Sequence, residues 1–181
     1  MRKVIVSEFV TLDGVIEGLD QWPAFDHGGM EEQEQFKADE LAGSDALLLG
    51  RMTYQMFAAS WPTETDEIGV ADRMNSLPKY VVSTTLHQVG WNARLITDDL
   101  AAAISRIKQE GERDVLVYGS CDLVHTLEQH NLIDEYRLVI YPVVVGSGKR
   151  LFKEGSSQMA LRLVETRPFS SGTVLLRYQK Q

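Results

Sequence analysis

The stretch Asp114-Val-Leu-Val-Tyr-Gly-Ser-Cys-Asp-Leu-Val124 constrains the fold more than any other part of the chain. Val115, Leu116 and Val117 form a short apolar run rich in β-branched residues, the kind that becomes a strand buried on both faces. Tyr118-Gly119-Ser120 then turns the chain. Glycine permits the tight backbone, and serine is a good helix N-cap. Leu123, Val124 and Leu127 follow at helical spacing, so a helix starts at about Ser120. A strand, a glycine turn and a helix N-terminus make an anion site, because free backbone N–H groups meet the ligand and the helix dipole favours negative charge. Most such units bind nothing, so the hinge gains meaning only from its neighbours.

Those neighbours repeat the pattern. Lys3–Val10 reads as a strand ending at the Thr11-Leu-Asp-Gly14 turn, followed by a loop through Trp22, Pro23 and the Gly28-Gly29 pair. Met30–Leu41 reads as a Glu-rich helix with Met30, Phe36 and Leu41 inward and Gly43 as its stop. Asp45–Leu49 is a second buried strand, and Gly50–Phe57 turns into a short helix. Residues 60–78 are irregular except for a short helix near Val70–Ser76, and Lys79–Ser83 is a third strand. Thr97-Asp98-Asp99 caps a helix with Leu100, Ile104 and Ile107 inward and Gly111 at its end. After the hinge come the strand Asp134–Tyr141, the glycine-rich loop Pro142–Gly148, and a hairpin of Ala160–Arg167 and Thr173–Gln179 about the turn Pro168–Gly172. Strands and helices alternate first and strands alone follow. This predicts one α/β domain over residues 1–181, with a mostly parallel central sheet, antiparallel C-terminal strands and helices on both faces.

Composition narrows the partners. A net charge of −8 with pI about 5.0 argues against nucleic acid, whose phosphates need a basic face. Cys121 is the single cysteine, which rules out an internal disulfide and fits a reducing compartment. No secretion signal opens the chain and no apolar run spans a bilayer, so the expectation is a cytoplasmic protein away from membranes. His27, His87, His125 and His130 lack metal-ligand spacing, and no metal is expected.

Three strand ends resemble one another: Gly50-Arg51-Met52-Thr53, Ser83-Thr84-Thr85 and Gly119-Ser120-Cys121. Each puts Gly, Ser or Thr just past a buried strand, at the edge where open α/β sheets bind ligands. Three on one edge suit a long phosphate-bearing ligand better than a metal, although small polar residues also simply make good turns.

In this order, Gly-Arg-x-Thr-Tyr, Val-Ser-x-Thr and the strand–Gly–Ser–helix hinge resemble the dihydrofolate reductase-like fold. More closely, the chain resembles the reductase domain of riboflavin biosynthesis, the RibD C-terminal domain, as a stand-alone member. Ser7–Gly14, Leu48–Tyr54, Val115–Ser120 and Ile140–Phe152 carry the likeness, which spans nearly the whole chain. It implies a three-layer reductase using a nicotinamide cofactor, normally NADPH, with NADH possible. By that resemblance Gly50, Arg51 and Thr53 meet the cofactor phosphates, Ser83 and Thr84 lie near the adenosine, and Gly119, Ser120 and Cys121 cradle the pyrophosphate with Leu123 close by. Thr84 stands where relatives often carry an Arg that would pair with the 2′-phosphate. Arg51 is then the candidate charge, with weakened preference over NADH.

The substrate side rests on less. Asp13 lies in the family's mobile first loop, as a candidate catalytic or substrate-positioning group or as an ordinary turn residue. Trp22, Phe25 and His27 are candidates to line a heterocycle pocket. Glu31, Glu32 and Glu34 sit where dihydrofolate reductases hold the pterin, and Lys37 is the only basic residue on that helix, which sets the ribose phosphate of the riboflavin substrate in question. Pro142, Gly146 and Gly148 are expected to shape a pocket wall. Gly146-Ser-Gly-Lys-Arg150 is not a P-loop, because its spacing and final residue are wrong. Cys121 at a helix start invites a lowered thiol pKa, though a small residue admitting a phosphate is the simpler reading. The deaminase signature of the bifunctional riboflavin enzyme is absent. The family-implied activity is 5-amino-6-(5-phosphoribosylamino)uracil reduction. The alternatives are a pterin-type or other reductase of the same fold, or a non-catalytic nucleotide-binding protein. The apolar run Leu138–Val145 and the habit of relatives predict a homodimer.

Overall fold

The computed structural model describes residues 2–23, 30–155 and 158–181. The expected Gly28-Gly29 turn, Phe25 and His27 lie outside the described residues. The strands are β1 (Val4–Thr11), β2 (Ser44–Gly50), β3 (Lys79–Val82), β4 (Ala93–Ile96), β5 (Asp114–Tyr118), β6 (Glu135–Tyr141), β7 (Leu161–Pro168) and β8 (Val174–Lys180). The helices are α1 (Glu31–Ala42), α2 (Arg51–Ser60), α3 (Val70–Ser76), α4 (Leu100–Glu110) and α5 (Cys121–Gln129), with short 3₁₀ turns at Leu19–Gln21 and Trp61–Thr63.

All eight strands share one sheet in the order β4-β3-β2-β5-β1-β6-β8-β7. The pairs from β4 through β6 are parallel, whereas β8 runs antiparallel to both β6 and β7. Each central strand is apolar on both faces and feeds two cores. Val4, Val6, Ala46, Leu48, Val115 and Val117 pack under Ile104 and Ile107 of α4 and Leu123, Val124 and Leu127 of α5. Their alternates Ile5, Leu47, Leu49 and Leu116 pack against Leu41 of α1, Tyr54 of α2 and Met74 of α3. Strict alternation between two helix layers makes these strands read as continuous apolar runs. The mixed sheet and helices on both faces match the expectation.

Three details differ from the sequence reading. β4 was not expected: it is a half-exposed four-residue edge after the left-handed pair Trp91 (φ 52°) and Asn92 (φ 55°), too short to show a pattern. Leu138–Tyr141, the first half of the apolar run, needs no partner chain to explain it, because β6 lies between β1 and β8 inside the sheet, while Pro142 and Val144 beyond it are exposed. On α1, Phe36 and Leu41 are buried as expected, but so are Gln33 and Glu40, while Met30 is only half-buried at the N-cap position.

The chain steps outward from β2 to β4, returns through α4 to insert β5 beside β1, and crosses by α5 to β6. The carboxyl ends of β1, β2, β3 and β5 therefore share one edge at the place where the winding reverses, which is where such sheets bind ligands.

Candidate active site

The hinge after β5 is tighter than expected. Gly119 (φ 56°) and Ser120 (φ 66°) are consecutive left-handed residues. Ser120 holds the N-cap position of α5, but its side chain does not cap the helix, which corrects the sequence reading. A left-handed N-cap residue cannot aim its hydroxyl back at its own first turn as an extended one does. Instead Ser120 Oγ accepts the Gly50 N–H at 2.8 Å, tying the hinge to the start of α2. A Cβ on Gly119 would lie 3.1 Å from Thr53 Oγ1, and one on Gly50 3.2 Å from Ser120 Cβ and 3.6 Å from Leu123 Cβ. Gly50, Thr53, Gly119, Ser120 and Leu123 thus form one cluster. Neither α2 nor α5 has a side-chain cap, so two helix N-termini stand side by side with first-turn N–H groups that no capping side chain takes. Such an arrangement can receive an anion through backbone N–H groups, with Arg51 at the first position of α2 as a neighbouring charge.

Next along the edge, Ser83 ends the β3 ladder. Its Oγ accepts the N–H groups of Thr85 (3.2 Å) and Leu86 (3.1 Å), so it stiffens the turn, and Thr84 is exposed at the tip. Arg51 is exposed with Nη1 on Gln55 Oε1 at 3.1 Å, so the guanidinium remains open to a ligand. Cys121 Sγ packs instead against the Arg150 carbonyl oxygen (3.4 Å) and His125 Nε2 (3.7 Å). Burial and then the Asp122 charge push this thiol up to about 11, so the suggested lowering at the helix start does not occur. Asp122 is exposed and paired with Lys149 at 2.9 Å, which offsets the one acidic charge in the first turn of α5.

On the α1 side of the sheet lies a cleft of about 510 Å³. Phe9, Gln33, Lys37 and Trp61 line it, with Glu34 and the segment 64–68 around it. Lys37 Nζ donates to Ser7 Oγ (2.5 Å) and Glu40 Oε2 (3.1 Å) and stands over the rings of Tyr118 (4.8 Å) and Phe9 (5.0 Å). Tyr118 precedes Gly119, so Lys37 connects cleft and hinge. Burial raises the Glu40 carboxyl, but Lys37, Arg137, Ser7 and Tyr118 outweigh it and hold Glu40 below its ordinary value. Glu8 behaves oppositely. Burial drives its pKa well up, the charge of Lys37 and a Gly119 backbone bond oppose this incompletely, and its Oε1 has no partner. It is a buried carboxyl beneath the hinge whose neutral form is favoured by burial.

The remaining candidates belong to a loop frame. Asp13 accepts from Thr11 Oγ1 (2.7 Å), Gly146 N (2.8 Å) and Val145 N (3.3 Å). The Thr11 bond first, then those from Gly146 and Val145, hold its carboxyl down at about 2. Its oxygens thereby stitch the first loop to the 142–148 loop. Trp22 lies edge-on to Tyr141 at 5.4 Å and donates from Nε1 to the Glu17 carbonyl. Pro142 is exposed, Gly146 is left-handed (φ 78°), and a Cβ on Gly148 would meet Val15 Cγ1 at 2.7 Å. Of the three α1 glutamates, Glu32 binds Ser170, Glu31 is exposed away from the cleft lining, and Glu34 lies at the cleft. Sequence reasoning gave no role to Phe9, Glu8, Glu40 or Trp61. The one available signal was the spacing of Gln33, Phe36, Lys37 and Glu40, an inward α1 face carrying polar groups.

A parallel sheet with an antiparallel C-terminal pair and an uncapped helix pair at its carboxyl edge defines a dihydrofolate reductase-like, reductase-type fold. Known structures agree. The Enterococcus faecalis dihydrofolate reductase complexed with NADP(H) superposes with TM-score 0.67 at 13% identity, covering 99% of this chain and 96% of that one. A Shewanella sp. PV-4 protein whose name assigns it to riboflavin biosynthesis superposes with TM-score 0.75 at 20% identity over 99% of both chains. The RibD C-terminal domain family matches residues 2–175, and this chain belongs to that family. It is also 33% identical to the uncharacterized protein YyaP of Bacillus subtilis (strain 168), over 98% of this chain and 94% of that protein.

Proposed function

We propose that this protein is an NADPH-dependent reductase of a small heterocyclic substrate. The observation that carries the reading is the pair of uncapped N-termini of α2 and α5 meeting at the left-handed Gly119-Ser120 hinge. A dinucleotide needs donors for its pyrophosphate and a close backbone approach, and this cluster supplies both. In this reading Gly119, Ser120 and the start of α5 at Cys121 and Leu123 hold the pyrophosphate by backbone. Gly50, Arg51 and Thr53 meet the adjoining phosphate, and Ser83 and Thr84 border the adenosine. The bound cofactor supplies a hydride, and the protein orients it and excludes water. Asp13 keeps the loop frame closed, while Trp22, Pro142 and Gly146 shape the wall.

The family-implied substrate is 5-amino-6-(5-phosphoribosylamino)uracil, and a pterin is the alternative within the same fold. Titration with NADPH and NADH at two salt concentrations, followed by nicotinamide fluorescence, tests the cofactor. Binding of both, with modest preference for NADPH, is expected from Thr84 at the turn and Arg51 as the nearest charge. A strong, salt-sensitive preference would assign the 2′-phosphate to another cation. Binding of neither would overturn the reductase reading and favour an interaction protein that keeps only the edge. Cys121 as an unpaired thiol supports a reducing, cytoplasmic setting.

A further inference from the structure

The α1 cleft differs in charge from floor to rim, and this bears on what enters it. Its floor holds Lys37, whose ammonium has three N–H donors. Two are committed, to Ser7 and Glu40, and the third has no hydrogen-bond acceptor among the described residues, the ammonium lying over the rings of Phe9, Phe36 and Tyr118. Because Glu40 lies 3.1 Å away, the pair presents a directed donor rather than a free positive charge. Phe9 and Trp61 line the same cleft and offer ring surface to a flat molecule. The rim is acidic: Glu34, Glu64, Asp66 and Glu67 all line the cleft and are all exposed. Asp66 stays ionised, since backbone N–H groups, that of Ala71 first, hold its carboxyl down.

A phosphate ester would bring a dianion to four carboxylates, and among the described residues that line the cleft no rim cation receives it. The basic side chains of the 149–153 loop line a different cleft, beside His125 of α5, and Lys149 is already paired with Asp122. We propose that this cleft selects an uncharged, carbonyl-bearing flat heterocycle, received by the free N–H of Lys37, and discriminates against its phosphorylated form. The inference rests on the reductase reading for its biological meaning, and it departs from the family-implied phosphorylated substrate.

The test is calorimetric and omits cofactor. The probes are 5-amino-6-ribosylaminouracil and its 5′-phosphate, titrated into the full chain. Repulsion of a dianion by four carboxylates, over a screening length of about 8 Å, is expected to separate the affinities by about tenfold, less at high salt. Glu64→Gln with Glu67→Gln, both exposed changes at the rim, should bring the phosphate ester several-fold closer to the neutral probe by tightening the ester more than the neutral probe. Lys37→Arg should retain some binding of the neutral probe, and Lys37→Met should lose it. Equal or tighter binding of the phosphate ester, or a gap that ignores both salt and the double variant, would overturn the proposal. Failure of both probes where NADPH still binds would overturn it and leave the reductase reading standing. Neutral-probe binding without any nicotinamide binding would do the reverse.

Discussion

At the scale of single residues, the hinge and the buried acid beneath it make the sharpest predictions. Gly119 has φ 56° and no room toward Thr53. Gly119→Ala should cost about 1–2 kcal/mol of stability from the left-handed backbone. It should also weaken NADPH binding at least tenfold, because the approach surface moves. Chemical denaturation and fluorescence titration check the two effects separately, and unchanged cofactor affinity would remove Gly119 from the cradle. Glu8 gives a pH signature. Its folded pKa is raised well above 4.5, so between that value and its folded pKa the native state holds a proton that the unfolded state has released. Stability therefore falls as pH rises through this window. Glu8→Gln keeps an acceptor for the Gly119 N–H and never ionises. Its stability relative to the parent should grow from about pH 5 upward, and urea unfolding at several pH values would show a flat difference if Glu8 were not neutral in the fold. Asp13 has the opposite sign. Its folded pKa of about 2 lies below the ordinary 3.8, so its contribution is present above that ordinary value and is lost as pH falls through about 2. Asp13→Asn should loosen the 142–148 loop, read as faster amide exchange at Val145 and Gly146, while the central strands keep their protection.

At the scale of elements, helix ends separate structure from function. α4 is capped by Asp99, whose carboxylate accepts the N–H groups of Ala101 (2.9 Å) and Ala102 (3.2 Å). α2 and α5 have no such cap. Asp99→Ala should therefore cost about 1 kcal/mol in thermal or urea unfolding and leave NADPH affinity unchanged. A change in affinity would mean that α4 communicates with the edge. The elements themselves were legible wherever one period dominated. Ile104 and Ile107 of α4, and Leu123, Val124 and Leu127 of α5, are buried as their spacing predicts. α1 was legible as a helix, but its inward polar residues were not. Its buried Gln33 and Glu40 find partners far along the chain: Tyr141 of β6 and Thr173 just before β8 for the first, Ser7, Tyr118 and Arg137 on β1, β5 and β6 for the second. No local pattern announces a polar residue whose partners lie tens of residues away. β4 was missed for the converse reason. Its four residues are half-exposed and are held in register by β3 alone.

At the scale of the whole molecule, the sheet has two unequal edges. β4 is short, whereas β7 has eight residues with Leu163 and Val164 exposed. A long edge with apolar residues is a surface that proteins commonly cover. This supports the homodimer expected from the sequence better than Leu138–Val145 does, since Leu138–Tyr141 of that run lies inside the sheet. Sedimentation at micromolar concentration should give twice the 20.4 kDa chain mass, and Val164→Lys should return it toward the monomer. A parent protein that sediments as a clean monomer would refute the pairing.

The chain by itself determined its layers, its hinge and its family, because buried strands, amphipathic helices and glycine turns are written in neighbouring residues. Tertiary structure alone decided how the hinge is used. The sequence placed Ser120 as a helix cap, but the fold turns its hydroxyl to Gly50 and leaves the helix N-terminus uncapped. Only the fold, likewise, sets Lys37 at the floor of a cleft with carboxylates at the rim. Those arrangements depend on strands that meet across the sheet, and a pattern of nearest neighbours carries no record of which strand lies beside which.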